Sequence, residues 1–168
     1  GYLAEARRGN SDLWNQYYAD LYHTWNISDD MSLSTSLNYY KTKDEGNANA
    51  GDIDTDAFSG QLSLAVGAHT FSVAHQQVNG DTPFDYLTTG DSWGNSIWLA
   101  NSVQYSDFNS PGEKSYQARY DLDMTTFGVP GLSFMARYIT GSDADGTKAD
   151  CSANGAYCGA YGKDGNEW

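Results

Sequence analysis

Six separate segments of this chain alternate apolar and polar residues with a period of two, and that pattern excludes most folds. A period of two belongs to a β-strand with two chemically different faces; a helix would need 3.6. The first segment runs from about Leu13 to Ile27, with Leu13, Asn15, Tyr17, Ala19, Leu21, His23, Trp25 and Ile27 on one face and Gln16, Tyr18, Asp20, Tyr22 and Thr24 on the other. The second, about Met31 to Thr42, sets Met31, Leu33, Thr35, Leu37 and Tyr39 against Ser32, Ser34, Ser36, Asn38 and Tyr40. The third, about Ala57 to Val66, sets Phe58, Gly60, Leu62, Leu64 and Val66 against Ser59, Gln61 and Ser63. The fourth, about Thr70 to Val78, sets Phe71, Val73 and His75 against Ser72, Ala74 and Gln76. The fifth sets Tyr116, Ala118, Tyr120, Leu122 and Met124 against Ser115, Gln117, Arg119, Asp121 and Asp123. The sixth, about Leu132 to Thr140, sets Leu132, Phe134, Ala136 and Tyr138 against Ser133, Met135 and Arg137.

The connections between these segments alternate as well. "SDD" at 28–30, the pair Gly67-Ala68 and "TTFGVPG" are short, and Gly67 stands first in its pair, as a type II′ hairpin prefers. "KTKDEGNANAGDIDTD", the stretch 79–114 and everything after Gly141 are long. In an antiparallel up-and-down sheet this places the short turns at one end and the long loops at the other. Outer-membrane barrels share that asymmetry. A soluble sandwich has no physical reason to sort its loops this way.

The aromatic residues agree. Tyr17, Tyr39, Tyr116 and Tyr138 fall toward the long-loop end of the apolar faces, and Trp25 and Phe71 toward the short-turn end. Two such girdles bracket the apolar band of a membrane barrel. From Tyr17 to Trp25 a tilted strand climbs about 19 Å, close to that band's height. The chain has no apolar run of transmembrane-helix length. That says nothing against strands, which need be apolar on one face only. The expected fold is therefore an all-β, antiparallel up-and-down transmembrane β-barrel, with apolar faces toward lipid and Arg119, Arg137, Asp121 and Asp123 toward a wet lumen. Six strands are too few to close such a barrel. The chain opens on "GYLAEARRGN", read as the end of one strand and the next long loop, and stops within a loop at "KDGNEW". The expectation is a segment of a larger barrel in the bacterial outer membrane, its long loops extracellular.

Charge narrows the partners. The formal net charge is −13 in 168 residues. Nucleic acid is excluded as a partner, because phosphate binding needs a basic face.

Longer stretches carry a family resemblance. "GDTPFDY", "NSIWLANSVQYSDFNSPGEKSYQARYDLD", "GVPGLSFMARYITG", "DEGNANAGDID" and "DGTKAD" closely resemble the OprD family of substrate-specific outer-membrane porins of Gram-negative bacteria. The resemblance implies an 18-stranded channel for small carboxylate-bearing nutrients. One large loop would fold inward to form the constriction. An arginine ladder would line one wall, facing an acidic pocket. By position, the inward loop resembles residues 79–114, with Tyr86, Ser102, Tyr105 and Asp107 at the constriction. Residues 141–168 would be an extracellular loop. Arg119 in "QARYD" and Arg137 in "MARYI" match strand arginines near the ladder. The family's usual acid before "SI" is Asn95 here, with Asp91 close by. If the 124–132 turn is symmetric about Gly128, Arg119 and Arg137 are directly cross-strand. Like charges so placed destabilise a pair unless water, Asp121 or a bound anion compensates.

The implied solutes are basic or zwitterionic amino acids or small peptides. Aromatic or other organic acids remain the alternative within the same fold. A soluble Tyr-rich β module for carbohydrate is the alternative from another class. The other implied partners are outer-membrane lipid and lipopolysaccharide, with the barrel either monomeric or a homotrimer. Rival motifs fail: counted from Asp143, the sixth residue of a calcium loop would be Lys148, where an EF-hand needs Gly. His23, His69 and His75 lack zinc-ligand spacing, and no nucleophile elbow or phosphate loop occurs. No enzyme activity, metal or cofactor is expected. Cys151 and Cys158 are spaced to close a short disulfide loop in an oxidising compartment.

Overall fold

The computed structural model describes residues 2–10, 14–48, 51–85, 99–104, 106–149 and 164–168. They form one antiparallel sheet in which eight strands follow one another in chain order. The strands are β1 (Tyr2–Asn10), β2 (Trp14–Ser28), β3 (Met31–Asp44), β4 (Asp54–Val66), β5 (His69–Asn79), β6 (Lys114–Asp123), β7 (Ser133–Ser142) and β8 (Asn166–Glu167). Each expected segment is a strand, with ends shifted by a few residues.

The two faces have inverted chemistry. Along β2, Tyr17, Leu21 and Trp25 are exposed, whereas Gln16 and Tyr18 are buried. Along β5, Phe71 and Val73 are exposed, whereas Ser72, Ala74, Gln76 and Val78 are buried. Val73 alone leaves 57% of its surface open. In water an apolar exposed face and a polar covered face would be unstable. In a bilayer the arrangement is favourable, because lipid takes the apolar side.

The short turns lie in a row at one rim. Gly67 has φ of +56°, the left-handed value its hairpin requires. Its N–H donates to Asp30 O at 2.8 Å, and Asp123 N–H donates to Ala68 O at 2.9 Å, so neighbouring turns brace one another. Between β6 and β7 a 3-10 turn, Met124–Phe127, is capped by the Asp123 carboxylate and ended by Gly128 at φ +83°. Met124 therefore belongs to the turn and not to the lipid face of β6, because a cap at Asp123 stops the extended conformation there.

Two further expectations need correcting. "YLAEARRGN" is strand throughout its nine residues and does not run on into a long loop. Asn10 pairs with Asn15, so its connection to β2 is short although it lies at the long-loop end. The register sets Glu5 opposite Asp20 and Arg7 opposite Tyr18, with Ala4 and Ala6 exposed beside them. Alanines against charges give too weak an alternation to be recognised from sequence. At the other end, Asn166 and Glu167 pair with Thr140 and Ile139. The stretch after Gly141 is therefore not all loop: β7 continues to Ser142 and the chain returns to the sheet at β8.

The buried apolar cluster sits inside the curve of the sheet. It joins Tyr18, Tyr40, Ala57 and Val78 on the strands to Phe84 and Leu99 of the β5–β6 connection. The described parts of this connection, 80–85, 99–104 and 106–113, lie over the polar face.

Candidate lumen wall and constriction loop

Register sorts the lumen-facing residues into rows that cross the sheet. One row in from Gln16–Thr42–Thr55 at the long-loop rim lies the aromatic row, Tyr18–Tyr40–Ala57–Val78. Tyr40 packs against Phe84 with ring centroids 4.9 Å apart, and Tyr18 against Tyr40 at 4.5 Å. These rings form an apolar seat under the entering limb of the connection. The next row toward the short turns reads Asp20–Asn38–Ser59–Gln76–Ser115–Gly141. Ser59, Gln76 and Ser115 of this row bond the connection. Ser59 Oγ accepts from Ala100 N–H at 3.1 Å, and Asn101 Nδ2 donates to Ser115 Oγ at 2.9 Å. Gln76 Oε1 accepts from Asn101 N–H at 2.9 Å, while its Nε2 donates to Asp107 O at 2.8 Å and Phe108 O at 3.0 Å. Gly141 ends the row because a Cβ there would sit 2.7 Å from Phe108 Cδ1.

Nearer the rim, Gln16 Nε2 donates to Asp85 O at 2.8 Å and Thr55 Oγ1 to Thr82 O at 3.0 Å. The two limbs also pair with each other: Phe84 N–H donates to Asn109 O, and Asn109 Nδ2 to Phe84 O. Buried backbone groups need partners. Here the polar lumen face supplies them, so an irregular segment is stable inside the wall.

Of the expected constriction residues, Ser102 and Asp107 lie on this inward connection and Tyr86 and Tyr105 lie outside the described residues, as do Asn95, Asp91, Cys151 and Cys158. Ser102 Oγ donates to Asp107 Oδ1 in a short hydrogen bond. Ser102 thus orients the carboxylate instead of presenting a free hydroxyl. The neighbouring Phe108 is buried with φ of +49°, a strained value for a bulky residue. At the end of the connection, Ser110 N–H donates to Glu113 Oε2, and burial pushes the Glu113 carboxyl above its ordinary pKa despite that bond.

Two rows further toward the short turns runs Thr24–Ser34–Ser63–Ser72–Arg119–Arg137. Four hydroxyls lead across the wall to the two arginines, which are directly cross-strand as expected. Thr24 and Ser34 share a hydrogen bond of 2.9 Å, and Ser63 and Ser72 one of 2.8 Å. Each arginine has an acid. Arg119 Nε and Nη2 hold both oxygens of Asp121 at 2.7 Å, a bidentate pair. Arg137 Nη2 lies 3.5 Å from Glu167 Oε1. These pairs offset the repulsion between the guanidinium groups. Asp123 lies on the lumen parity too, but its carboxylate accepts from Thr125 N–H at 2.8 Å and caps the turn.

The sequence reading missed Gln16, Thr55, Ser59 and Gln76 as loop anchors and Glu167 as a partner for Arg137. Their signal was present as polar residues on one strand parity. What each one touches depends on a connection more than thirty residues long, which period two does not describe.

Comparisons with known proteins agree with this geometry. The sequence profile of the "outer membrane porin, OprD family" matches residues 7–168. Porin D of Pseudomonas aeruginosa is 51% identical over 158 residues, which are 92% of this chain and 36% of that protein. The porin-like protein GalP of Pseudomonas putida is 35% identical over 77% of this chain and 30% of its own length. The crystal structure of Pseudomonas aeruginosa OprD superposes with a TM-score of 0.86 at 48% identity, covering 98% of this chain and 44% of that one. That of Pseudomonas aeruginosa OccK10 (OpdN) gives 0.78 at 36% identity, covering 92% and 41%. The chain thus spans about a third of the length of these two sequence relatives. It is an integral outer-membrane β-barrel protein, and it belongs to the OprD family of outer membrane porins.

Proposed function

We propose that this chain supplies part of the wall and the constriction loop of an 18-stranded channel for small carboxylate-bearing solutes, with basic or zwitterionic amino acids and small peptides as the preferred class. The carrying observation is the placement of Asp107. Its carboxylate is oriented by Ser102 on the inward loop. The backbone of Asp107 is bonded to Gln76, four residues along β5 from Ser72, which lies level with Arg119. Four residues on a tilted strand correspond to about 10 Å along the barrel axis. A solute entering from the long-loop side meets a fixed anion first and the arginines next. Its cationic end is held by Asp107 while its carboxylate reaches forward to Arg119 and Arg137.

The neutralised arginines support this order. Asp121 takes the Nε and Nη2 edge of Arg119, so a passing carboxylate meets the remaining donors rather than a whole empty fork. Binding stays weak enough for release, as conduction requires. The hydroxyl row from Thr24 to Ser72 offers neutral partners beside the arginines. Tyr86 and Tyr105, and a Cys151–Cys158 bridge bracing the last long loop, complete the proposal.

Asp107→Asn in the complete barrel tests it, with uptake of lysine and of benzoate measured side by side. The expected outcome is a fall in lysine uptake of about tenfold with benzoate nearly unchanged, the scale of one lost charged contact. Equal losses for both solutes would mean that Asp107 shapes the loop and does not read charge. The organic-acid alternative predicts unchanged lysine uptake and impaired benzoate uptake when Arg119 is replaced.

A further inference from the structure

The loop that carries Asp107 turns back on itself between Asn101 and Phe108, and one wall residue bonds both limbs of this turn, whose closed end is called its tip. Gln76 is fully buried, with 0% of its surface exposed. Its carbonyl oxygen takes the N–H of Asn101 on the limb entering the tip, and its amide NH2 donates to the carbonyls of Asp107 and Phe108 on the limb leaving it. Between these points the tip is closed by Val103 N–H to Ser106 O at 3.0 Å and by the Ser102–Asp107 bond. Ser59 and Ser115 flank Gln76 across the neighbouring strands, and among the described residues of the loop each bonds the entering limb alone, at Ala100 and Asn101. Phe108 is held in a left-handed conformation directly after Asp107, a strain that persists only where neighbours enforce it.

We propose that Gln76 is the positioning residue of the constriction. It clamps residues 101 and 107–108 to one point of β5 and thereby sets the height and direction of the Asp107 carboxylate in the channel. Gln76 touches no solute; it acts through Asp107. The inference rests on the reading of the inward loop as the selective constriction. An amide is the one uncharged side-chain chemistry that supplies an acceptor and two donors here. Leucine fills the same volume and supplies neither. Glutamate keeps the acceptor but turns carboxylate oxygens toward two carbonyls. Asparagine keeps the amide and withdraws it by one methylene.

The test compares Gln76→Leu, Asp107→Asn and the double variant in the complete barrel, each first shown to assemble by heat-dependent gel mobility. Gln76→Asn serves in place of Gln76→Leu where the latter does not assemble. The lysine-to-benzoate uptake ratio should fall about tenfold in each single variant, and the double variant should fall no further, because both act on one interaction. Where Asp107→Asn lowers the ratio, an unchanged ratio in an assembled Gln76 variant, or a double variant whose losses multiply, overturns the proposal. Cleavage within residues 99–108 by added protease gives an independent readout of the clamp. It should rise about tenfold in Gln76→Leu, since a segment freed of its buried bonds opens more often. If cleavage rises while Asp107→Asn leaves the ratio intact, the clamp stands and the charge-reading role of Asp107 fails. If cleavage does not rise, Gln76 does not hold the loop.

Discussion

The wall built by β2 to β5 and the wall built by β6 and β7 face the same lumen, and the neutral polar residues of the first are used differently from the charged residues of the second. On the first, Gln16, Thr55, Ser59 and Gln76 are buried and turn their hydrogen-bonding groups on the loop. On the second, Arg119 and Asp121 pair with each other and stay partly open, with 39% and 31% of their side-chain surface accessible. The buried neutral groups are therefore the loop's foundation, Ser115 of β6 among them, and the Arg119–Asp121 pair stays open to the lumen. The difference follows from residue chemistry. Neutral amides and hydroxyls can be buried once their few bonds are satisfied. Charges keep a large desolvation penalty and are better left near water with a partner. A lumen residue's charge thus indicates whether it is buried under the loop or left open to the lumen.

Both walls presuppose the same parity, and the largest expected effect comes from breaking it. Leu21 and Tyr22 are adjacent and about equally exposed, but one faces lipid and the other the lumen. Leu21→Arg should destabilise the barrel by about 2–4 kcal/mol in bilayers and Tyr22→Arg by much less, as judged by folding titrations. Equal penalties would dissolve the distinction between lipid and lumen faces. The next effect is confined to the first wall. Thr55 is fully buried, and Thr55→Val removes the hydroxyl that donates to Thr82 O. Leaving a buried carbonyl unpaired costs about 1–3 kcal/mol. Hydrogen exchange should therefore quicken in residues 80–85 while strand protection is retained. If the strands lose protection equally, the loop and the wall are one cooperative unit and the comparison blurs. The smallest effect belongs to the second wall. Asp121→Asn should free the Arg119 fork and lengthen the dwell time of benzoate in single-channel records by about threefold, because a partly exposed pair is worth a few tenths to one kcal/mol. Unchanged dwell times would assign the arginines a structural role only.

By itself the sequence determined which residues face lipid and which face the lumen, where the strands run, and at which rim the turns are tight. These are local matters. Side chains alternate along any strand, and a Gly placed first in a two-residue turn selects its hairpin. The same local rule gave the cross-strand placement of Arg119 and Arg137 from a turn centred on Gly128. The rule faltered at β1, where alanines and charges mask the alternation, and at β8, where a two-residue pairing has no period to detect. Only the tertiary structure decided which wall residues hold the inward connection that the family resemblance implied: that Gln76 bonds it at Asn101, Asp107 and Phe108, that Ser102 orients Asp107, and that Glu167 stands by Arg137. Each of these joins groups through a long, irregular connection whose path is set by which buried N–H and carbonyl groups find partners. Matching of that kind is a property of the whole assembled surface, and no spacing along the chain encodes it.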